Sequence, residues 1–192
     1  MIAIIKYNAG NFTSVKNTVE KLGYDCIVTA DENTIKKADK VIFPGVGEAS
    51  SAMAYLKKTG LDEVILNITQ PFLGICLGLQ LMCAESEEGN TTCLGVFNAK
   101  VKRFPNTGIV PHMGWNNFTL VKGLLFNGLD LTDDVYYVHS YYVESNENSI
   151  ADCDYLIPFS VAMQKNNFYG TQFHPEKSSG VGEKILKNFL EL

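Results

Sequence analysis

The chain lacks most of what would mark a secreted, metal-stapled or nucleic-acid-binding protein. Its five cysteines, Cys26, Cys76, Cys83, Cys93 and Cys153, are odd in number, and no two stand at Cys-x-x-Cys spacing. That argues against a disulfide framework and against a zinc ribbon, and points to a reducing, cytoplasmic setting. There is no excess of positive charge. Lys and Arg total 16 against 21 acidic residues, a net charge of −5, which does not suit a nucleic-acid binder. No long hydrophobic run is present. The longest nearly apolar stretch, 72–84, falls short of the ~20 residues of a membrane span and contains Gln80. The opening MIAIIKY has no basic residue ahead of its apolar run, so it does not read as a secretion signal. Internal repeats, low-complexity tracts and Pro/Gly/Ser-rich linkers are also missing. The 192 residues, 1–192, therefore fit a single domain of the usual ~100–200 residues.

What is present is alternation. Residues 1–7 form an apolar run of strand length. Phe12, Val15, Val19 and Leu22 follow at helical spacing, with Asn11 as a possible cap and Gly23 as a stop. Residues 26–29 and 40–43 read as strands, the second closed by Pro44-Gly45. A helix is expected over 48–58, a buried strand over 72–75, and a helix from there to about Ser86. Strands alternating with helices imply a mostly parallel sheet covered on both faces. The second half differs. Short strand-like segments fill 93–120, the aromatic run VYYVHSYYV (135–143) reads as one strand, and 159–164 and 167–173 read as two strands around Lys165-Asn166. Ile185, Leu186, Phe189 and Leu190 mark a closing amphipathic helix. The expected architecture is α/β, with a parallel core sheet flanked by helices and an added antiparallel portion in the second half.

The most informative local feature is Gly74-Ile75-Cys76-Leu77-Gly78, placed after a buried strand and opening a helix. A Gly-x-nucleophile-x-Gly turn is strained and lifts its central side chain clear of the backbone. The thiol then sits at a helix N-terminus, which favours the thiolate, and the Leu77 N–H is available to an oxyanion. Cys83, seven residues on, reads as core. A thiol nucleophile needs a base. Of three histidines, His174 in Gln172-Phe173-His174-Pro175-Glu176 has a carboxylate two residues away, on the same side of an extended segment. Glu176 can therefore fix the imidazole tautomer and stabilise the imidazolium. His112 and His139 have no such partner and read as structural or interface residues. Pro44-Gly45-Val46-Gly47, after the third strand, is flexible enough to supply a second oxyanion donor. It is not a P-loop, since the Lys-Ser/Thr is missing.

This set resembles the class I, or triad, glutamine amidotransferases, and the resemblance covers essentially the whole chain. Pro111-His112-Met113-Gly114-Trp115-Asn116 is similar to the branch of that family that serves histidine biosynthesis, as are Gly10-Asn11, Val138-His139-Ser140-Tyr141 and His174-Pro175-Glu176-Lys177-Ser178. One departure stands out. The family usually has Asp-Tyr-Gly after the first strand, where this chain has Lys6-Tyr7-Asn8. That leaves open a paralogous glutaminase feeding a sugar-amidating synthase; a third alternative, one serving pyridoxal phosphate synthesis, is disfavoured by the Pro111–Asn116 stretch.

The resemblance implies a flavodoxin-like fold, glutamine as substrate, and neither metal nor organic cofactor. It implies Cys76 as nucleophile, His174 as base and acid, and Glu176 as orienter. Leu77, Val46 and Gly47 would supply backbone oxyanion donors. Gln80, Glu88, Ser140 and Tyr141 match glutamine-contacting positions, and Asn11, Trp115 and Lys177 match the side facing a synthase. The implied partner is a (β/α)8-barrel cyclase bound as a heterodimer. With the delivered ammonia it would form imidazole glycerol phosphate and an aminoimidazole carboxamide ribonucleotide.

Overall fold

The computed structural model describes all 192 residues. In chain order the first half comprises β1 (Ile2–Ile5), α1 (Phe12–Lys21), β2 (Cys26–Thr29), α2 (Glu32–Lys37), β3 (Lys40–Gly45), α3 (Ala49–Thr59), α4 (Leu61–Leu66), β4 (Phe72–Cys76) and α5 (Leu77–Met82). The second half adds β5 (Glu85–Ser86), β6 (Thr91–Thr92), β7 (Lys100–Arg103), β8 (His112–Asn116), β9 (Leu120–Val121), β10 (Val135–His139) and β11 (Tyr141–Val143). It closes with β12 (Ser149–Tyr155), β13 (Ile157–Lys165), β14 (Phe168–Thr171) and α6 (Ser179–Leu190).

Every residue of β1 and β4 is buried, because helices cover both faces of the sheet there. The parallel core has the order β2-β1-β3-β4-β14. Renumbered along the chain, that is the 2-1-3-4-5 order of flavodoxin-like folds. Such sheets bind ligands beyond the carboxyl ends of their strands. Here those ends carry Lys6-Tyr7-Asn8, Val46-Gly47 and Cys76. Past β14 the sheet continues through antiparallel β13, β11 and β7, reaching 12 strands in all. A separate antiparallel ribbon pairs β8 with β10. Two apolar clusters fill the interior. Phe43, Leu56, Phe72 and Leu79 belong to one; Ile4, Ile75, Phe159 and Phe189 belong to the other.

The expected α/β architecture holds, and most differences have local causes. The helix after Gly74–Gly78 ends at Met82, not Ser86. Cys83 is extended, and Glu85–Ser86 pair instead with β6 and β7. The aromatic run 135–143 is two strands, not one. It breaks at Ser140, so that β10 stays in the ribbon while β11 joins the main sheet. The β13–β14 turn lies one residue later than expected, where Asn166 has φ 55°. Asn11 occupies the N-cap position of α1 without a side-chain capping bond. α2, α4 and β12 had no expectation attached. The first two are helices of six residues, too short to show two turns of periodicity.

Candidate active site

Cys76 stands at the junction of β4 and α5 with φ 54° and ψ −108°. This backbone is costly for a residue with a Cβ, by about 1–3 kcal/mol. The flanking glycines make the junction possible. A Cβ on Gly78 would lie 2.0 Å from the Phe43 carbonyl oxygen, and one on Gly74 would lie 2.8 Å from the Gly78 carbonyl. α5 can therefore press directly against β3 and β4. Leu77 opens the helix, so its N–H has no partner within it.

The register then brings the other groups to the same place. β14 runs parallel to β4 with Thr171 opposite Ile75, so the chain leaving β14 passes beside Cys76. His174 follows three residues later. Its Nδ1 lies 2.9 Å from Glu176 Oε1, with both side chains buried. Its Nε2 is buried without a hydrogen-bond partner. The ribbon clamps this turn. The His174 N–H donates to the Tyr136 carbonyl at 2.9 Å, and the Tyr136 N–H donates to Ser178 Oγ at 2.9 Å. Ser178 Oγ in turn donates to the His174 carbonyl at 2.7 Å.

Burial works against a charge on His174. The Cys76 sulfur and the Glu176 carboxylate outweigh it and push the imidazole up to about 10. His112 and His139 behave oppositely, since burial pulls them down to about 4 and about 3. His139 Nδ1 lies 2.7 Å from the Tyr141 carbonyl, which can only accept, so Nδ1 carries the proton. His139 Nε2 is then the acceptor for His112 Nδ1 at 3.0 Å. Both rings are thus held in one buried hydrogen-bonded chain from His112 through His139 to the Tyr141 carbonyl.

A cavity of about 330 Å³ opens over the Cys76 sulfur, within the range of small-ligand sites. Val46, Gly47, Leu77 and His174 line it, together with Gln80, Glu88, Ser140 and Tyr141. Gly47 has φ 113°, so this turn is built on a glycine-only conformation. Glu88 is the one carboxylate on the lining. It accepts from the Ala49 N–H at 2.9 Å, and burial raises its affinity for a proton. Asn11, Trp115 and Lys177 line none of it. Trp115 and Lys177 are exposed, whereas Asn11 is half-buried. Cys83 is fully buried.

Pro111, Val138 and His139 also line the cavity; they stand in the two segments that carry the resemblance, though none of the three was itself expected at the site. Gln172 is another residue that the sequence did not single out. It is fully buried, with Nε2 3.6 Å from the Cys76 sulfur. Its place two residues before His174 in an extended segment was the available signal. Tyr7, in the loop that departs from the usual pattern, has a buried and unpartnered hydroxyl beneath the 45–47 turn.

An elbow thiol, a buried His–Glu pair and a cavity joining them sit on a fold that known proteins share. A crystal structure of a glutamine amidotransferase superposes with a TM-score of 0.77 at 18% identity, covering 99% of this chain and 97% of that one. Another glutamine amidotransferase, from Thermotoga maritima, gives 0.66 at 17%, covering 99% and 82%. At sequence level the similarity is much greater. The chain is 55% identical to imidazole glycerol phosphate synthase subunit HisH of Bacteroides fragilis, over all of this chain and 99% of that protein. It is 50% identical to the HisH protein of Haemophilus influenzae, over 99% and 96%. The family model for glutamine amidotransferase class-I matches residues 3–192. Over essentially its whole length, this chain belongs to the class I glutamine amidotransferases.

Proposed function

We infer that the chain is the glutaminase component of an imidazole glycerol phosphate synthase, releasing ammonia from glutamine for histidine biosynthesis. The observation that carries this reading is the buried His174–Glu176 pair, with a free Nε2, beside a thiol on a strained elbow. Relatives at 50–55% identity over the full length support the pathway.

The Cys76 thiolate attacks the side-chain amide carbon of glutamine. The tetrahedral oxyanion is met by the Leu77 N–H and by an N–H of the Val46-Gly47 turn. His174, protonated at Nε2, gives that proton to the departing nitrogen, and ammonia leaves. Water then attacks the γ-glutamyl thioester while His174 Nε2 takes its proton. Glutamate departs and the thiolate is restored. Glu176 holds the ring by Nδ1 throughout. Glu88 supplies the negative charge that suits the α-ammonium of glutamine, and Gln80, Ser140 and Tyr141 shape the rest of the cavity. The ammonia goes to a (β/α)8-barrel cyclase in the cytoplasm, bound on the side of Asn11, Trp115 and Lys177. No helix is long and apolar enough to cross a membrane.

The test is glutamate release from glutamine, with and without the cyclase of the same organism and that cyclase's nucleotide ligand. One oxyanion donor is worth ~10²–10³ in rate, so a switchable Val46-Gly47 turn predicts at least a ~100-fold rise with the liganded partner. A silent chain that the cyclase leaves unchanged would point to another ammonia acceptor. Full activity of the isolated chain would remove the switch.

A further inference from the structure

We propose that Gln172 is a positioning residue for the nucleophile, holding the Cys76 sulfur through a hydrogen-bond chain whose polarity is fixed by a backbone carbonyl. The inference rests on the glutaminase reading above and deepens it.

The backbone carbonyl of Tyr141 can only accept. Gln80 lies against it at 3.1 Å, so the atom facing it must be the Gln80 amide nitrogen. That same Nε2 lies 2.9 Å from the Gln172 side chain, and having no lone pair to offer, it donates there too. The Gln172 atom it meets must be the oxygen. The Gln172 nitrogen is then turned toward Cys76, with its N–H aimed at the sulfur at 3.6 Å. No member of the chain can flip without setting donor against donor or acceptor against acceptor. The His139 Nδ1–H, donating to the same Tyr141 carbonyl at 2.7 Å, anchors the far end.

The surroundings make this chain rigid. Gln172 is fully buried and Gln80 nearly so. The Gln172 backbone N–H donates to the Val161 carbonyl at 2.8 Å, which ties the residue to β13. A buried amide is stable only when bonded, and a fixed N–H donor favours a charged acceptor over a neutral one. The sulfur is charged when it attacks and neutral in the thioester. The contact therefore favours the attacking state and holds the sulfur below the cavity.

The experiment compares wild type, Gln172→Leu and Gln172→Glu in the complex with the liganded cyclase. Circular dichroism verifies folding. The readouts are kcat and KM for glutamine, and the pH midpoint of Cys76 alkylation by iodoacetamide, followed on the Cys76 peptide. Leucine keeps the bulk and loses the donor. A hydrogen bond to a charged group corresponds to roughly one pH unit, so the midpoint moves up by about that much and kcat falls ~10-fold. KM moves less. Glutamate keeps the acceptor for Gln80 but offers the sulfur no proton and adds a negative charge, so its midpoint moves up further. A folded Gln172→Leu with unmoved midpoint and kcat overturns the assignment. Unfolding of both variants also overturns it, by making Gln172 purely structural. If wild type releases no glutamate, the glutaminase reading fails, while the alkylation midpoints still decide whether Gln172 serves the sulfur.

Discussion

His174 and Glu176 form a pair sealed from solvent: Nδ1 and Oε1 are 2.9 Å apart, and each side chain is 1% exposed. Water cannot substitute for the carboxylate, so the ring depends on Glu176 for its orientation. Glu176→Gln keeps the shape and removes the charge. In a comparable triad, the amide in place of the orienting carboxylate costs ~10⁴ in kcat through the wrong tautomer. We expect a loss of at least ~100-fold in kcat, with KM for glutamine changed little, in glutamate release by the complex.

Cys76 carries strain that belongs to its role. Its φ of 54° is open to glycine and costly for any side chain. Cys76→Ala and Cys76→Gly both remove the nucleophile, but only the second relieves the backbone. The Gly variant should therefore melt above the Ala variant. A difference near 1 kcal/mol corresponds to about 2–4 °C at this chain length. Equal melting temperatures would mean the elbow is unstrained.

The neighbouring glycine allows no side chain at all. A Cβ on Gly78 would lie 2.0 Å from the Phe43 carbonyl oxygen, a backbone atom of β3 that cannot yield cheaply. Gly78→Ala should destabilise by at least about 3 kcal/mol, read as a lower denaturant midpoint or as loss of soluble protein.

These residues explain why so much of the site was legible in the sequence. Gly74, Cys76, Gly78, His174 and Glu176 are constrained by local geometry, a tight turn or an i,i+2 pair, and local geometry is what spacing encodes. The parallel core was legible for the same reason, since each strand and helix there repeats its own period. What stayed hidden is non-local. Gln172 matters because β14 pairs beside β4, and the Tyr141 carbonyl can meet Gln80 and His139 because the aromatic run changes sheets at Ser140. No spacing rule reports which strands become neighbours.

The two buried histidines outside the His174–Glu176 pair set an acid limit on the fold. His112 is held down to about 4 and His139 to about 3, below the usual value near 6.5. The folded protein therefore refuses protons that the unfolded chain accepts. Stability is intact above 6.5 and falls as pH drops from there toward 4 and then 3. His174 partly offsets this, because the fold already holds its proton while the unfolded chain gains one only as pH falls through 6.5, which adds about 1 kcal/mol of stability between pH 7 and 5. Unfolding free energies by denaturant titration should drop by about 2 kcal/mol per histidine between pH 7 and 5. A flat profile would mean that these rings do gain protons in the fold.

The outer face of the ribbon provides the test of the partner surface. Met113 and Trp115 are 63% and 54% exposed, an unusual amount of apolar side chain for open solvent. Trp115 stands edge-on to Tyr136 at 5.9 Å, and Tyr136 is the residue whose carbonyl receives the His174 N–H. The ribbon thus has Trp115, proposed to face the cyclase, on its outer face and holds the turn of His174 by its backbone. Trp115→Ala removes an anchor without touching the core, so the melting temperature should hold. A central aromatic at an interface is worth about 2 kcal/mol, which corresponds to a ~30-fold weaker Kd for the cyclase by calorimetry. If the ribbon only docks, saturating cyclase restores the full glutaminase rate to this variant. If Trp115 also positions Tyr136, kcat stays low at saturation, and the path from partner to His174 runs through that ring pair. An unchanged Kd would place the cyclase on a different face of the molecule.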